Sequence, residues 1–122
     1  MRQMAVWMDR DEARVFDVGA RFGESWFYSP SHHVHRHPHL DDEHRFFHDV
    51  AGALEGADQV LVVGPSVTKL RFFRYVQKRD PDLDRRIVGL ETADHPTARQ
   101  LVAHVREYFP QRPAPARPRF VA

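Results

Sequence analysis

The 122-residue sequence contains no cysteine. Disulfides, thiolate nucleophiles and cysteine-ligated zinc are thereby excluded, and the absence agrees with a cytoplasmic protein. No apolar run approaches the ~20 residues that a membrane-spanning helix requires, so no membrane partner is expected. The opening MRQMAVWMDRDE has one early arginine but lacks the apolar stretch of ~7–15 residues that marks a secretory leader. Lysine is scarce, since sixteen of the eighteen basic residues are arginine. That bias suits phosphate contacts as well as a G+C-rich genome. The formal net charge is only +1, so any anion-binding role has to come from local clustering. The chain has no internal repeat and no Gly-Gly pair.

What is present describes one globular domain. Apolar residues make up 42% and charged residues 29% of the chain, ordinary values for a core that can be stable alone. The domain is read as residues 1–109. Its centre is QVLVVGPSVTKLRFFRYVQK, residues 59–78. Residues 59–63 hold four consecutive apolar side chains, as in a strand covered on both faces within a parallel sheet. Gly64 and Pro65 make the turn, and a helix begins near Ser66, with Ser66 or Thr68 as its cap. Val67, Leu70, Phe73 and Val76 are assigned to the inner face of that helix, widened by Phe72 and Tyr75, and Asp80-Pro81 stops it.

Upstream, residues 4–9 and 13–18 form an antiparallel hairpin, with residues 22–28 as a third strand. Trp7, Phe16 and Trp26 are the aromatic candidates for its buried face. Residues 29–40, SPSHHVHRHPHL, hold five His and two Pro and read as an exposed loop. A helix capped by Asp41 then carries an apolar stripe of Phe46, Phe47, Val50, Ala51 and Leu54. Downstream, residues 86–91 form a buried strand. Thr97 and Gln100 match the capping box of a last helix, with Leu101, Val102, Val105, Tyr108 and Phe109 facing inward. Residues 110–122, with four Pro and three Arg, read as a disordered basic tail. The fold class is therefore α/β, in the order β-β-β-α-β-α-β-α. It gives a mixed sheet with helices on its faces, an order shared with ribonuclease-H-like domains.

The run Leu61-Val62-Val63-Gly64-Pro65 leads into the helix with Lys69 and is followed by Ile87-Val88-Gly89 and the Thr92-Ala93-Asp94-His95-Pro96-Thr97 turn. Together with Val6-Trp7-Met8-Asp9 and Ala13-Arg14-Val15-Phe16, these residues resemble small bacterial proteins labelled translational machinery proteins. More distantly they resemble the middle domain of the archaeal and eukaryotic peptide-chain release factors and Pelota. The resemblance spans roughly residues 4–109. It implies a release-factor middle-domain-like fold and a role at the ribosome or on tRNA. In release factors the loop after the third strand carries Gly-Gly-Gln, which acts at the peptidyl-transferase centre. Here the corresponding loop is rich in histidine, with no Gly-Gly and no Gln, so peptidyl-tRNA hydrolysis by the family mechanism is not expected.

Three further sites come from the residues themselves. The start of the second helix at Gly64-Pro65-Ser66 offers free N–H groups that suit a phosphate. It departs from the P-loop because Lys69 stands where the second glycine belongs, and a plain strand-to-helix turn is the simpler explanation. Lys69, Arg71, Arg74, Lys78 and Arg79 load the same helix with positive charge. At ~100° per residue, Arg71, Arg74 and Lys78 fall within about 60° of one another. Arg85 and Arg86 follow in sequence. Together with Ser66, these residues are the candidate RNA or phosphate contacts, with a solvated face balanced by Asp80, Asp82 and Asp84 as the alternative. His32, His33, His35, His37 and His39 are candidate ligands for Zn, Ni or Cu, with His44 and His48 as an i,i+4 pair beyond them. The plainer reading is a polar, partly protonated loop and no cofactor. A two-metal nuclease needs three acids. Asp9 and Glu43 could serve, but the strand at 59–63 ends without one. Asp94-His95 reads as a helix entrance rather than an acid/base pair. The sequence thus points to a non-catalytic accessory protein binding ribosomal RNA or tRNA, with a metal-binding protein or a protein–protein module as alternatives.

Overall fold

The sheet grows outward from β1 (Gln3–Met8), which pairs antiparallel with β2 (Glu12–Asp17) on one side. On its other side it pairs parallel with β4 (Gln59–Gly64), placing Val6 beside both Val15 and Val62. The computed structural model describes residues 2–17, 31–37, 43–111 and 119–120. Beyond β2 lies β3 (His32–His35), antiparallel to it, and beyond β4 come β5 (Ile87–Thr92) and β6 (Arg119–Phe120), both parallel. The spatial order is β3-β2-β1-β4-β5-β6. As expected from its apolar run, β4 is a central parallel strand with every residue buried.

Alternation along the strands divides the core in two. Met4, Val6, Met8, Val15, Val60 and Val62 face one side, and there they meet α1 (Glu43–Ala53), α2 (Thr68–Arg79) and α3 (Pro81–Arg86). Ala5, Trp7, Phe16, Leu61 and Val63 face the other side and are covered by α4 (Ala98–Gln111). A register shift between Val60 and Leu61 inserts one residue into β5. It lets Ile87 and Leu90, three apart, share the first face while Val88 turns to the second.

The helix stripes explain the packing. Phe46, Phe47 and Val50 are buried along α1 as their spacing requires, and Leu54 is buried just past its end. The capping box of α4 is made in both directions, Gln100 N–H donating to Thr97 Oγ1 at 3.1 Å and Thr97 N–H to Gln100 Oε1 at 2.9 Å. Trp7 and Phe16 are both buried against α4.

Several expectations need correction. The histidine-rich segment is not wholly loop, because His32–His35 adds an edge strand, with Val34 packed against the core. Its alternation of one inward Val among outward polar residues suits an edge strand, which the count of His and Pro had obscured. Helix α2 starts at Thr68, two residues later than expected, with Val67 as N-cap and no side-chain cap bond from Ser66 or Thr68. Val67 consequently lies before the first turn and is 59% exposed rather than inward. Asp80-Pro81 ends α2 but also starts α3, Asp80 Oδ1 accepting from Leu83 N–H at 3.2 Å with Pro81 in the first turn. The segment read as a disordered tail contributes too, since α4 runs to Gln111 and Arg119–Phe120 pairs with β5. The expected strand at 22–28, Trp26, the Asp41 cap and His39 lie outside the described residues.

Among the described glycines the tightest backbone approach is at Gly64, where a β-carbon would stand 2.2 Å from the Met8 carbonyl oxygen. That neighbour is main chain and cannot swing aside. Gly64→Ala should therefore lower the unfolding free energy by about 3 kcal/mol, at the upper end for overpacking, measured by urea denaturation.

Candidate nucleic-acid interface

The two faces of α2 are set by one phase. Thr68, Lys69, Phe72, Phe73 and Val76 point to the sheet and are buried, whereas Arg71, Arg74, Lys78 and Arg79 are exposed. The expected stripe of Arg71, Arg74 and Lys78 is therefore present on the outer face, and Arg79 is exposed at the helix end. Arg71 Nη1 reaches Glu43 Oε2 at 3.3 Å, and the same oxygen lies 3.9 Å from Arg36 Nη1. Among the described residues no carboxylate pairs with Arg74, Lys78 or Arg79. Uncompensated cations on one helix face attract polyanions.

Helices α1 and α2 bound an open groove of about 290 Å³ beside this stripe. Its floor is Phe47, and its walls include His44 and Glu43 from α1 and Tyr75 from α2. The Tyr75 ring lies 5.7 Å from Phe47 and 5.6 Å from His44, centroid to centroid.

The other candidate phosphate contacts stand apart from the stripe. Lys69 is only 6% exposed, and its ammonium donates to the Ser66 carbonyl at 2.7 Å. Burial lowers its pKa below the ordinary lysine value. The phase explains this placement, because Lys69 sits three and four residues before Phe72 and Phe73. Ser66 is exposed, and its carbonyl accepts the Lys69 bond. Arg85 pairs with Asp82. Arg86 donates to the Ala57 carbonyl at 3.0 Å and faces Asp58 at 3.8 Å. It lines a separate groove with Glu55, Asp80 and Asp82, so its surroundings are acidic.

Pairing of β3 with β2 separates the histidines. His33 and His35 stand opposite Arg14 and Glu12, their rings 4.1 Å apart. His33 Nε2 meets Glu12 Oε1 at 2.7 Å, and Arg14 Nε lies 3.1 Å from the same oxygen. His32 falls on the opposite face, beside Ser31 Oγ at 3.3 Å, and His37 lies past the strand end. Among the described residues no group of three or more His, Asp or Glu side chains is arranged to hold a metal ion. Hydrogen bonding from His33, opposed in part by burial and helped by Arg14, holds the Glu12 carboxyl below its ordinary pKa.

The two acids considered for metal chemistry have other tasks. Asp9 Oδ1 accepts from the Asp11 and Glu12 amides, both at 2.9 Å, and closes the β1–β2 turn. Glu43 serves the arginines described above. Asp94 and His95 lie at the entrance to α4. His95 Nδ1 is 3.0 Å from Asp94 Oδ1, and Trp7 Nε1 donates to the Asp94 carbonyl at 3.1 Å.

The Tyr75–His44 wall was not anticipated. Tyr75 is amphipathic and lies four residues after Arg71, a spacing that puts both on one side of the helix. Nothing in the sequence, however, tells that α1 brings His44 alongside.

No family model and no curated protein matches this chain. The resemblance to small bacterial translational machinery proteins therefore rests on the quoted residues alone. Among solved structures, Pelota of Archaeoglobus fulgidus is similar in fold, with a TM-score of 0.62 at 17% identity over 88% of this chain. The match covers 31% of the Pelota chain, so this chain corresponds to about one third of that protein. The fold is thus the α/β, release-factor middle-domain-like type expected from the sequence.

Two outcomes test this placement of charges. Lys69→Met should leave the unfolding free energy unchanged or raise it by about 1 kcal/mol, because a buried charge is replaced by an apolar chain of similar length. A urea titration reads this directly. For Glu12 the sign follows from its lowered pKa. Its contribution to stability is present at neutral pH and is lost as the pH falls through the native-state pKa. Glu12→Gln should therefore flatten the acid limb of the melting temperature against pH.

Proposed function

We propose that this chain is a translation-associated accessory protein that contacts ribosomal RNA or tRNA through the outer face of α2. In this reading it performs no chemistry of its own and needs no cofactor. The observation that carries it is the row of exposed cations, Arg74, Lys78 and Arg79, without carboxylate partners among the described residues. They stand beside Arg71 on a fold similar to part of Pelota. The missing Gly-Gly-Gln supports a role other than peptide release. Arginine presents a planar fork to phosphate oxygens, while Lys78 acts as a point charge. Helix α2 is rigidly seated by Phe72, Phe73 and Val76, so its charges meet a phosphate backbone with little ordering cost.

Phosphate contacts release counterions, so the binding has to weaken with salt. The protein should pellet with ribosomes through a sucrose cushion at low salt and be released as salt is raised. Reversing all three charges in Arg71→Glu/Arg74→Glu/Lys78→Glu should abolish pelleting, whereas Lys69→Met should retain it. Failure of the unmodified protein to pellet, with no binding to tRNA in a gel shift, would sink the proposal.

A further inference from the structure

We infer that the groove between α1 and α2 seats one unpaired base of the bound RNA, with the flanking phosphates held by Arg74, Lys78 and Arg79. The inference rests on the reading of α2 as an RNA contact and names the kind of RNA it takes, a single-stranded segment rather than a duplex.

The argument begins with shape. A duplex offers a protein its sugar-phosphate ridges and keeps its bases paired inside, and the A-form major groove is too narrow for side chains. A convex row of cations would suffice for such a ridge. Here the row borders a recess of about 290 Å³, large enough to admit a base. The recess is lined by rings. Phe47 is buried as its floor, Tyr75 is half-buried against it, and His44 is exposed at the rim. Phe47 and His44 each approach the Tyr75 ring, at 5.7 and 5.6 Å. Their support fixes the orientation of Tyr75 before any ligand arrives. Aromatic rings next to cations are the combination by which proteins hold unpaired nucleotides, because every base has a π-face and every link a phosphate.

Charge orders the site along α2. Arg71 is drawn toward Glu43 at the α1 end, which leaves Arg74, Lys78 and Arg79 flanking the ring wall on the open side. A strand passing over Tyr75 therefore meets cations along its backbone and a carboxylate at one end of the base recess.

The test compares three RNA ligands of equal length by fluorescence anisotropy at one salt concentration. They are a single-stranded 12-mer of mixed sequence, a blunt duplex, and a 12-mer of abasic sugars carrying the same phosphates. The single strand should bind roughly tenfold more tightly than the abasic strand, the loss expected for one stacked base. It should also exceed the duplex. Tyr75→Ala should remove that advantage, reducing single-strand affinity about tenfold with little effect on the abasic strand, and Tyr75→Phe should retain it. His44→Ala, at an exposed position, should weaken the single strand without any risk to folding. Equal affinity for single strand, duplex and abasic strand would overturn the inference while leaving RNA contact through α2 intact. Loss of all binding on charge reversal, without any effect of Tyr75→Ala or His44→Ala, would also overturn it. No binding of any RNA would overturn both readings.

Discussion

The parallel pairing of β1 with β4 is the contact on which the other elements depend. β1 is the junction of two kinds of sheet, antiparallel toward β2 and β3 and parallel toward β4, β5 and β6. Because both faces of β1 and β4 are buried, neither strand can slip by one residue without turning Met4, Val6 and Val62 out of one core and Ala5, Trp7 and Leu61 out of the other. The close approach of Gly64 to Met8 ends that pairing. It determines where the chain leaves the sheet, and so where α2 begins.

The position of that turn has consequences at the surface. With α2 starting at Thr68, the phase that buries Phe72, Phe73 and Val76 also places Arg71, Arg74 and Lys78 on the outer side. The same phase draws Lys69 inward. Its stem packs where an apolar residue would, and its ammonium finds the Ser66 carbonyl. The core and the cationic face are therefore two results of one helical rotation. A shift of a single residue would exchange an exposed charge for a buried one.

The histidines follow a different logic. As an edge strand, β3 carries polar side chains that discourage pairing with another chain. Its inward Val34 ties it to the core, and His33 ties it to Glu12. Strand alternation disperses residues that stand close together in sequence, which is why, within β3, His32 turns to one face while His33 and His35 stand opposite a guanidinium and a carboxylate on the other.

Much of this architecture can be read from local pattern. The apolar run at 59–63, the stripe of Phe46, Phe47 and Val50, and the Thr97–Gln100 capping box each depend on neighbours in sequence, and each forms as its spacing demands. The outer stripe of Arg71, Arg74 and Lys78 was legible for the same reason, since helical periodicity is a local property. Lys69 was legible in principle too, through its distance from Phe72 and Phe73. Other features needed the tertiary structure. Arg85 pairs locally with Asp82, one turn earlier in α3, but the engagement of Arg86 depends on Ala57 and Asp58, which reach it from the segment before β4. The strand character of His32–His35 depends on β2 offering a partner edge. The ring-lined groove exists only because α1 and α2 lie side by side on one face of the sheet, bringing His44 to Tyr75 across 30 intervening residues. Periodicity determines which side of an element a residue occupies. What that side then faces is decided by packing between elements far apart in sequence, and that decided the site.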